Sequence, residues 1–195
     1  FTGVPSMLLM LLKYRNRKKY IISSLRYICF GGGKMNTEYL RAFINDFSTV
    51  GIVQTYGQTE ASPRATALLP EDALRKIGSV GLPIPGVEIC IVDKDCLELK
   101  DNSIGEILIR GKNIMKGYYR QKEKTEKSII NGWLPTDDLG YKDEDGYLYI
   151  TGRMKNIIIS NGMNIYPEEV EDILMSNVEV KECYVYFEED SLMGE

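Results

Sequence analysis

The chain has 195 residues, 44% apolar and 27% charged, which allows one to two domains with a real core and excludes a disordered polyelectrolyte. A formal net charge of -4 and the lack of a long Lys/Arg run give nucleic-acid binding no electrostatic support. The longest apolar run, 7–12, is too short to cross a bilayer and follows no signal-peptide layout, so no transmembrane segment is expected and the cytoplasm is the expected compartment.

In chain order, 5–12 is apolar enough for a buried helix. The basic concentration Lys13, Arg15, Arg17, Lys18 and Lys19 then reads as its solvated end and the following turn. Residues 25–30 predict a short buried strand, followed directly by Gly31, Gly32 and Gly33. Leu40, Phe43, Ile44 and Phe47 recur at the spacing of one helical face, with Asn36 or Thr37 available as N-cap. A second strand, 51–55, returns to Tyr56 and Gly57. Strand, glycine loop, helix, strand, polar loop is the layout of a parallel α/β sheet, whose ligands collect at the carboxyl ends of the strands.

From Ile77 the texture changes. Gly78, Gly81, Pro83, Pro85 and Gly86 punctuate the chain, and short strands at 87–93 and 106–110 predict a small antiparallel sheet or barrel. A charged helix is expected near 122–130, a turn at Asn131-Gly132, a loop over 133–138, a hairpin turn at 143–146 and a strand over 147–151. A third unit begins near Gly152, with a strand at 157–159, a hairpin signal at Asn161-Gly162 and a helix opened by Pro167, its early acids suited to the positive helix end. Residues 182–187 look like a strand with nothing yet to pair with. That ending, and Phe1 in place of a starting Met, point to an internal piece of a longer chain.

With no histidine, a Ser-His-Asp triad, a Cys-His pair and His metal ligands are all removed. Cys29, Cys90, Cys96 and Cys183 show no C-x-x-C spacing and read as reduced core thiols, with no zinc site. The glycines after the first strand either bring backbone N–H groups close to a flat or anionic ligand or simply turn the chain. The string Tyr56-Gly57-Gln58-Thr59-Glu60 puts a hydroxyl and a carboxylate at the carboxyl end of a strand, where a phosphate wants a donor and its magnesium an oxygen.

YGQTE resembles the central signature of the adenylate-forming (AMP-binding) superfamily, which includes acyl-CoA synthetases, peptide-synthetase adenylation domains and luciferases. Further segments follow in that family's order: Gly105-Glu106 with Gly111 and Gly117-Tyr118, the run WLPTDDL, Gly152-Arg153-Met154-Lys155, and Asn161-Gly162 through Glu171. The resemblance covers essentially the whole chain. It implies an α/β fold in which 1–76 end a large parallel-sheet AMP-binding subdomain, 77–153 form a small antiparallel β-barrel subdomain, and 154–195 begin a small mobile α+β domain.

The resemblance also implies roles. Gly32, Gly33 and Lys34 would lie along adenine, Tyr56 and Gly57 near acyl substrate and nucleotide, and Gln58 with the other nucleotide-binding positions. Thr59 would bind the α-phosphate, Glu60 the magnesium, and Asp138 and Arg153 the ribose. Lys155 would be the hinge and Gly162 part of the face that meets the thiol carrier. An arginine beside Asp138 is expected to keep it ionised. Trp133 and Tyr118 read as packing residues. The family's usual glycine before the ribose aspartate is replaced by Asp137, which is expected to face solvent.

The implied activity is that of an AMP-forming acid–thiol ligase, which uses ATP and magnesium to turn a carboxylic acid into an acyl adenylate, releases AMP, and passes the acyl group to coenzyme A. Loading of an acyl- or peptidyl-carrier protein is the alternative, and a nucleotide-binding remnant without activity a third. The family's glycine-rich phosphate loop and adenylating lysine are expected before Phe1 and beyond Glu195, so the 195-residue piece alone is expected to be inactive.

Overall fold

The computed structural model describes residues 1–20, 22–160, 163–177 and 179–188. The first layer is built from β1 (Thr2–Gly3), α1 (Pro5–Lys13), β2 (Tyr27–Phe30), α2 (Thr37–Asp46) and β3 (Gly51–Tyr56). The three strands run parallel, with Cys29 opposite both Thr2 and Val53. β4 (Thr66–Leu68) and β5 (Leu82–Pro83) add on antiparallel, in the order β1-β2-β3-β4-β5.

Pro5 opens α1, where its missing N–H costs no helix bond, and Lys13 in the last turn complements the helix dipole. Asn36 caps α2 by accepting from the backbone N–H of Glu38 (2.9 Å) and Tyr39 (3.4 Å), a cap that contributes about 1 kcal/mol. The predicted apolar face of α2 then buries Leu40 and Phe43 in one core with Leu8, Ile28, Phe30 and Ile52. Truncating Phe43 to Ala there would cost about 3–5 kcal/mol. Arg17, expected to be solvated, is instead pinned to Asp46 at the end of α2 (2.5 Å).

The second layer is an antiparallel meander of β6 (Val87–Val92), β7 (Gly105–Gly111), β8 (Leu134–Lys142) and β9 (Leu148–Arg153), with the exposed helix α3 (Lys122–Ser128) between β7 and β8. Among the described residues this sheet does not close into a barrel. Closure needs the first strand to find the last, and here the outer edge of β9 is taken by the segment before β5: Val80 N–H donates to Leu148 O (2.8 Å) and Leu148 N–H to Gly81 O (3.0 Å). Gly81 has φ +93, and a Cβ on it would stand 2.0 Å from the Ala67 carbonyl, so only glycine lets the chain cross between the sheets at this point. Ala61, Ala65 and Val80 join Ile91, Ile107 and Leu148 in a single core, which packs the two layers together.

The 133–138 run, expected as a loop, belongs mostly to β8. Pro135 and two adjacent acids disguise it, and the ladder is irregular between the Leu108–Pro135 and Glu106–Leu139 pairs. Side-chain bonds compensate: Thr136 Oγ1 donates to Ile107 O (2.8 Å) and accepts from Asp138 N–H (3.1 Å). Asp137 sits in this bulge at φ +60, exposed as expected. The Asn131-Gly132 turn forms as predicted, with φ +52 and +81 between bridged Ile130 and Trp133.

A single 3-10 turn, Met154–Asn156, leads to β10 (Ile158–Ser160), β11 (Met163–Ile165) and α4 (Pro167–Met175). Ser160 lies opposite Met163 across the antiparallel pair, while Asn161 and Gly162 themselves lie outside the described residues. The expected strand at 182–187 has no regular structure. Instead of a neighbouring strand it finds α4, where Val185 N–H donates to Glu171 Oε1 (2.8 Å). All four cysteines are free. Cys29, Cys90 and Cys183 are half-buried, whereas Cys96, expected in the core, is exposed in a turn at φ +59.

Candidate nucleotide site

The carboxyl ends of β2 and β3 open on a cavity of about 380 Å³ that also reaches β9 and α4. Of the residues singled out from sequence, Gly32, Gly33, Lys34, Tyr56, Gly57, Gln58, Asp138 and Arg153 all line it. Thr59 and Glu60 do not. They lie on the 3-10 turn Thr59–Ala61 immediately after Gln58, Thr59 exposed and Glu60 half-buried. Lys155 is exposed on the turn between β9 and β10.

Asp138 is the charged centre of the cavity. It is only 6% exposed and sits directly across from Arg153 in the β8–β9 ladder. Arg153 Nε donates to its Oδ1 (3.1 Å), and the Tyr56 hydroxyl, at the end of β3, donates to its Oδ2 (2.8 Å). Burial pushes the Asp138 carboxyl up; Tyr56 and Arg153 pull it down and neighbouring Asp137 pushes it further up, with a net rise. The Arg153 guanidinium acts in the expected direction, pulling the carboxyl down, but its side chain is 59% exposed and screened by water, so burial outweighs it. Tyr56 is pushed well above the ordinary phenol value, chiefly by burial and then by the Asp138 charge, so it remains a donor.

Lys34 pairs with Asp172 Oδ2 of α4 (2.5 Å), which commits its ammonium to the helix. Helix α4 supplies a second wall residue, Glu168, whose Oε1 accepts from Asn156 Nδ2 (3.1 Å). Its Oε2 is buried and lies so close to the backbone that a Cβ on Gly152 would come within 2.6 Å of it, so a larger residue there would force the Glu168 carboxylate to shift.

Sequence reasoning missed several of these residues. Gln54 lies two positions before Tyr56 on the same strand, and period-two alternation could have placed both on one face. Thr151 is the extra residue of an irregularity in β9, between the Leu139–Gly152 and Gly140–Ile150 pairs, and carries no sequence signal. Gln54 Oε1 and Thr151 Oγ1 are both buried and, among the described residues, have no partner, a cost of about 1–3 kcal/mol each that a ligand's donors could relieve. Trp133 and Tyr118 are not simple packing residues: the guanidinium of Arg110 lies 4.4 Å over the Trp133 ring, and Tyr118 bonds Glu60.

Among the described residues no three His, Cys, Asp or Glu side chains gather as a metal cluster. What the turn offers is the Glu60 carboxylate, with Oε1 held by the Tyr118 hydroxyl (2.8 Å). One hard oxygen donor fits magnesium, which keeps most of its octahedral shell as water and substrate phosphate.

The chain belongs to the AMP-binding enzyme family, whose pattern matches residues 1–119. It is 39% identical over 172 residues to a 2-succinylbenzoate–CoA ligase of Geobacillus kaustophilus, covering 88% of this chain and 34% of that protein. Among solved structures, an amide bond synthetase from Marinactinospora thermotolerans matches with a TM-score of 0.93 at 32% identity, over 99% of this chain and 39% of that one. The o-succinylbenzoate CoA synthetase of Bacillus subtilis, solved with its acyl-adenylate intermediate, matches at 0.87 and 38% identity over 99% of this chain and 39% of its own. The same synthetase has also been solved with ATP and magnesium ion. The chain thus spans well under half the length of these relatives.

Proposed function

We propose that the full-length protein carrying this chain is an AMP-forming acid–thiol ligase that converts a small carboxylic acid and ATP to an acyl adenylate and transfers the acyl group to coenzyme A. The observation that carries the reading is the junction of Tyr56, Asp138 and Arg153 at the carboxyl end of β3, inside the cavity that also collects the glycine loop. A buried carboxylate whose neighbours fix it by one hydroxyl and one guanidinium is positioned to accept from a ribose diol. Gly32 and Gly33 offer a flat backbone surface to the adenine. Gln58 leads from the cavity to Thr59, a donor for the α-phosphate, and Glu60 would hold magnesium, whose charge offsets that of the phosphates. Catalysis on this reading comes mainly from positioning and charge neutralisation.

Residues 154–195 begin the unit that we propose rotates about Lys155 to present the Gly162 face to the thiol. The position of Lys155, exposed on a single turn between two sheets, supports that role. Among the described residues no helix is long and apolar enough to cross a membrane, and four free cysteines suit the reducing cytoplasm, which is the compartment we propose.

The test is ATP–pyrophosphate exchange by the full-length protein with a panel of aromatic, dicarboxylic and fatty acids, followed by product analysis with coenzyme A. Absence of exchange with every acid, by a protein that still binds AMP, would remove the ligase reading. A second reading keeps the first step and makes the acceptor an amine; the likeness to an amide bond synthetase favours it. Offering coenzyme A and an amine together, and identifying the product, separates the two.

A further inference from the structure

The loop between β7 and α3 grips the Thr59–Ala61 turn at several points. Met115 N–H donates to Glu60 O (2.7 Å), Asn113 Nδ2 to Ala61 O (3.0 Å), and Ser62 Oγ to Asn113 O (2.7 Å). These bonds fix the backbone on either side of Glu60. The side chain is fixed separately, by the Tyr118 hydroxyl on Oε1 (2.8 Å).

Tyr118 is in turn held from α3. Its backbone N–H donates to Thr125 Oγ1 (2.9 Å), and Lys124 Nζ lies 4.1 Å from the centre of its ring. A long carboxylate side chain on a surface turn loses substantial rotamer freedom when it must meet a cation in one geometry. Here the folded chain has met that cost in advance. Because the phenol donates, it occupies one oxygen of Glu60 and leaves the other to face a ligand. The Glu60 carboxylate pushes the Tyr118 phenol above its ordinary value, so the hydroxyl keeps its proton and the direction of the bond does not reverse near neutral pH.

We infer that Tyr118 is a positioning residue for Glu60, which it orients as a pre-set oxygen ligand for the divalent cation that accompanies the nucleotide phosphates. The inference rests on the proposed function, in which Glu60 serves magnesium. It differs from the sequence expectation, in which Tyr118 merely packs.

The experiment uses the full-length protein and Mn²⁺ in place of magnesium, with bound metal read by the loss of the free Mn²⁺ electron paramagnetic resonance signal, the protein being held in excess over ATP so that little nucleotide is left in solution to bind the metal. Wild type, Tyr118→Phe and Glu60→Gln are compared, with metal-free AMP binding by calorimetry and a thermal melt as controls. Tyr118→Phe removes one oxygen atom. It is expected to weaken Mn²⁺ binding about fivefold while AMP affinity stays within about twofold and the melt is unchanged. Thr125→Val, which frees the Tyr118 backbone N–H, should shift Mn²⁺ binding in the same direction by less. If Tyr118→Phe binds Mn²⁺ like wild type while Glu60→Gln binds it weakly, the positioning role is wrong and the role of Glu60 stands. If Tyr118→Phe lowers AMP affinity and melting temperature in step with Mn²⁺ binding, Tyr118 is only structural. A Glu60→Gln variant that matches wild type overturns both the metal role of Glu60 and this inference.

Discussion

Lys34 and Asp172 are 138 positions apart, yet Lys34 Nζ lies 2.5 Å from Asp172 Oδ2 and ties the glycine loop after β2 to helix α4. Both side chains are close to half exposed, at 44% and 49%, so the pair is screened and contributes at most about 1 kcal/mol. That strength suits a latch that opens in the rotation proposed above. Asp172→Asn should move the melting midpoint by less than about 2 °C while making the 154–160 connection easier to cleave with protease. Added salt should do the same to wild type. Unchanged cleavage in both cases would show that the pair does not hold α4 in place.

The second prediction concerns Asp138. Its carboxyl is raised in the folded chain, so an unfolded chain gives up that proton first. Above the ordinary carboxylate value of about 3.9, stability must therefore fall as pH rises, until the folded group has also ionised. Asp138→Asn removes this titration. Urea melts from pH 4 to 7 should show the Asn variant gaining on wild type as pH rises, even as nucleotide binding is lost. A gap that is flat with pH, or that moves the other way, would contradict the burial-dominated rise.

Asp137 occupies a left-handed conformation, φ +60, at the bulge in β8. Asp tolerates that region better than most residues, but glycine enters it freely. Asp137→Gly should therefore stabilise the fold by about 0.5 kcal/mol, and Asp137→Val, β-branched and poorly suited to positive φ, should destabilise it by about 1–2 kcal/mol. Chemical denaturation at fixed pH measures both. Equal losses for Gly and Val would mean that the Asp137 carboxylate makes an essential contact.

Gly81→Ala is expected to be severe. The new methyl would stand 2.0 Å from the Ala67 carbonyl, and backbone on both sides is tied into sheets. A loss of about 3 kcal/mol or more is expected, read as a lower yield of folded protein and a broadened melt. A melt within a degree of wild type would show that the crossing is looser than described.

How far the sequence could be read depended on whether the signal was local. Helix α2 was legible because Leu40, Phe43, Ile44 and Phe47 share a face and Asn36 can cap it, and the Asn131-Gly132 turn because its dipeptide demands positive φ. Strand β8 was misread because Pro135 and two acids look like a loop, and what makes it a strand is Thr136 bonding to Ile107, 29 residues away. The Tyr56–Asp138 junction joins residues 82 apart; family resemblance put each separately at the nucleotide, and neither it nor any pattern in the chain paired them. Glu168 reads, with Glu169 and Glu171, only as an acid of a helix start, and Asp172 is not singled out, so the wall pair Glu168 and Asp172 was not foreseen. Spaced four apart on one face, they carry a signal, but one that does not say what the face meets.

The bulge in β8 also bears on where this chain can change length. Beyond it β8 pairs again with β7 at Leu139 opposite Glu106, while Asp138 pairs with Arg153 of β9, so one residue gained or lost between 135 and 138 must either flatten the bulge or slide the aspartate off its arginine. At the head of the same strand, a Cβ built on Gly132 would meet nothing within 4 Å, and the turn projects into open space. Insertions and deletions in related chains should therefore collect at 131–132 and spare 135–138. A gap placed inside the bulge would move the Asp138 carboxylate, which Arg153 and Tyr56 hold, to the wrong column.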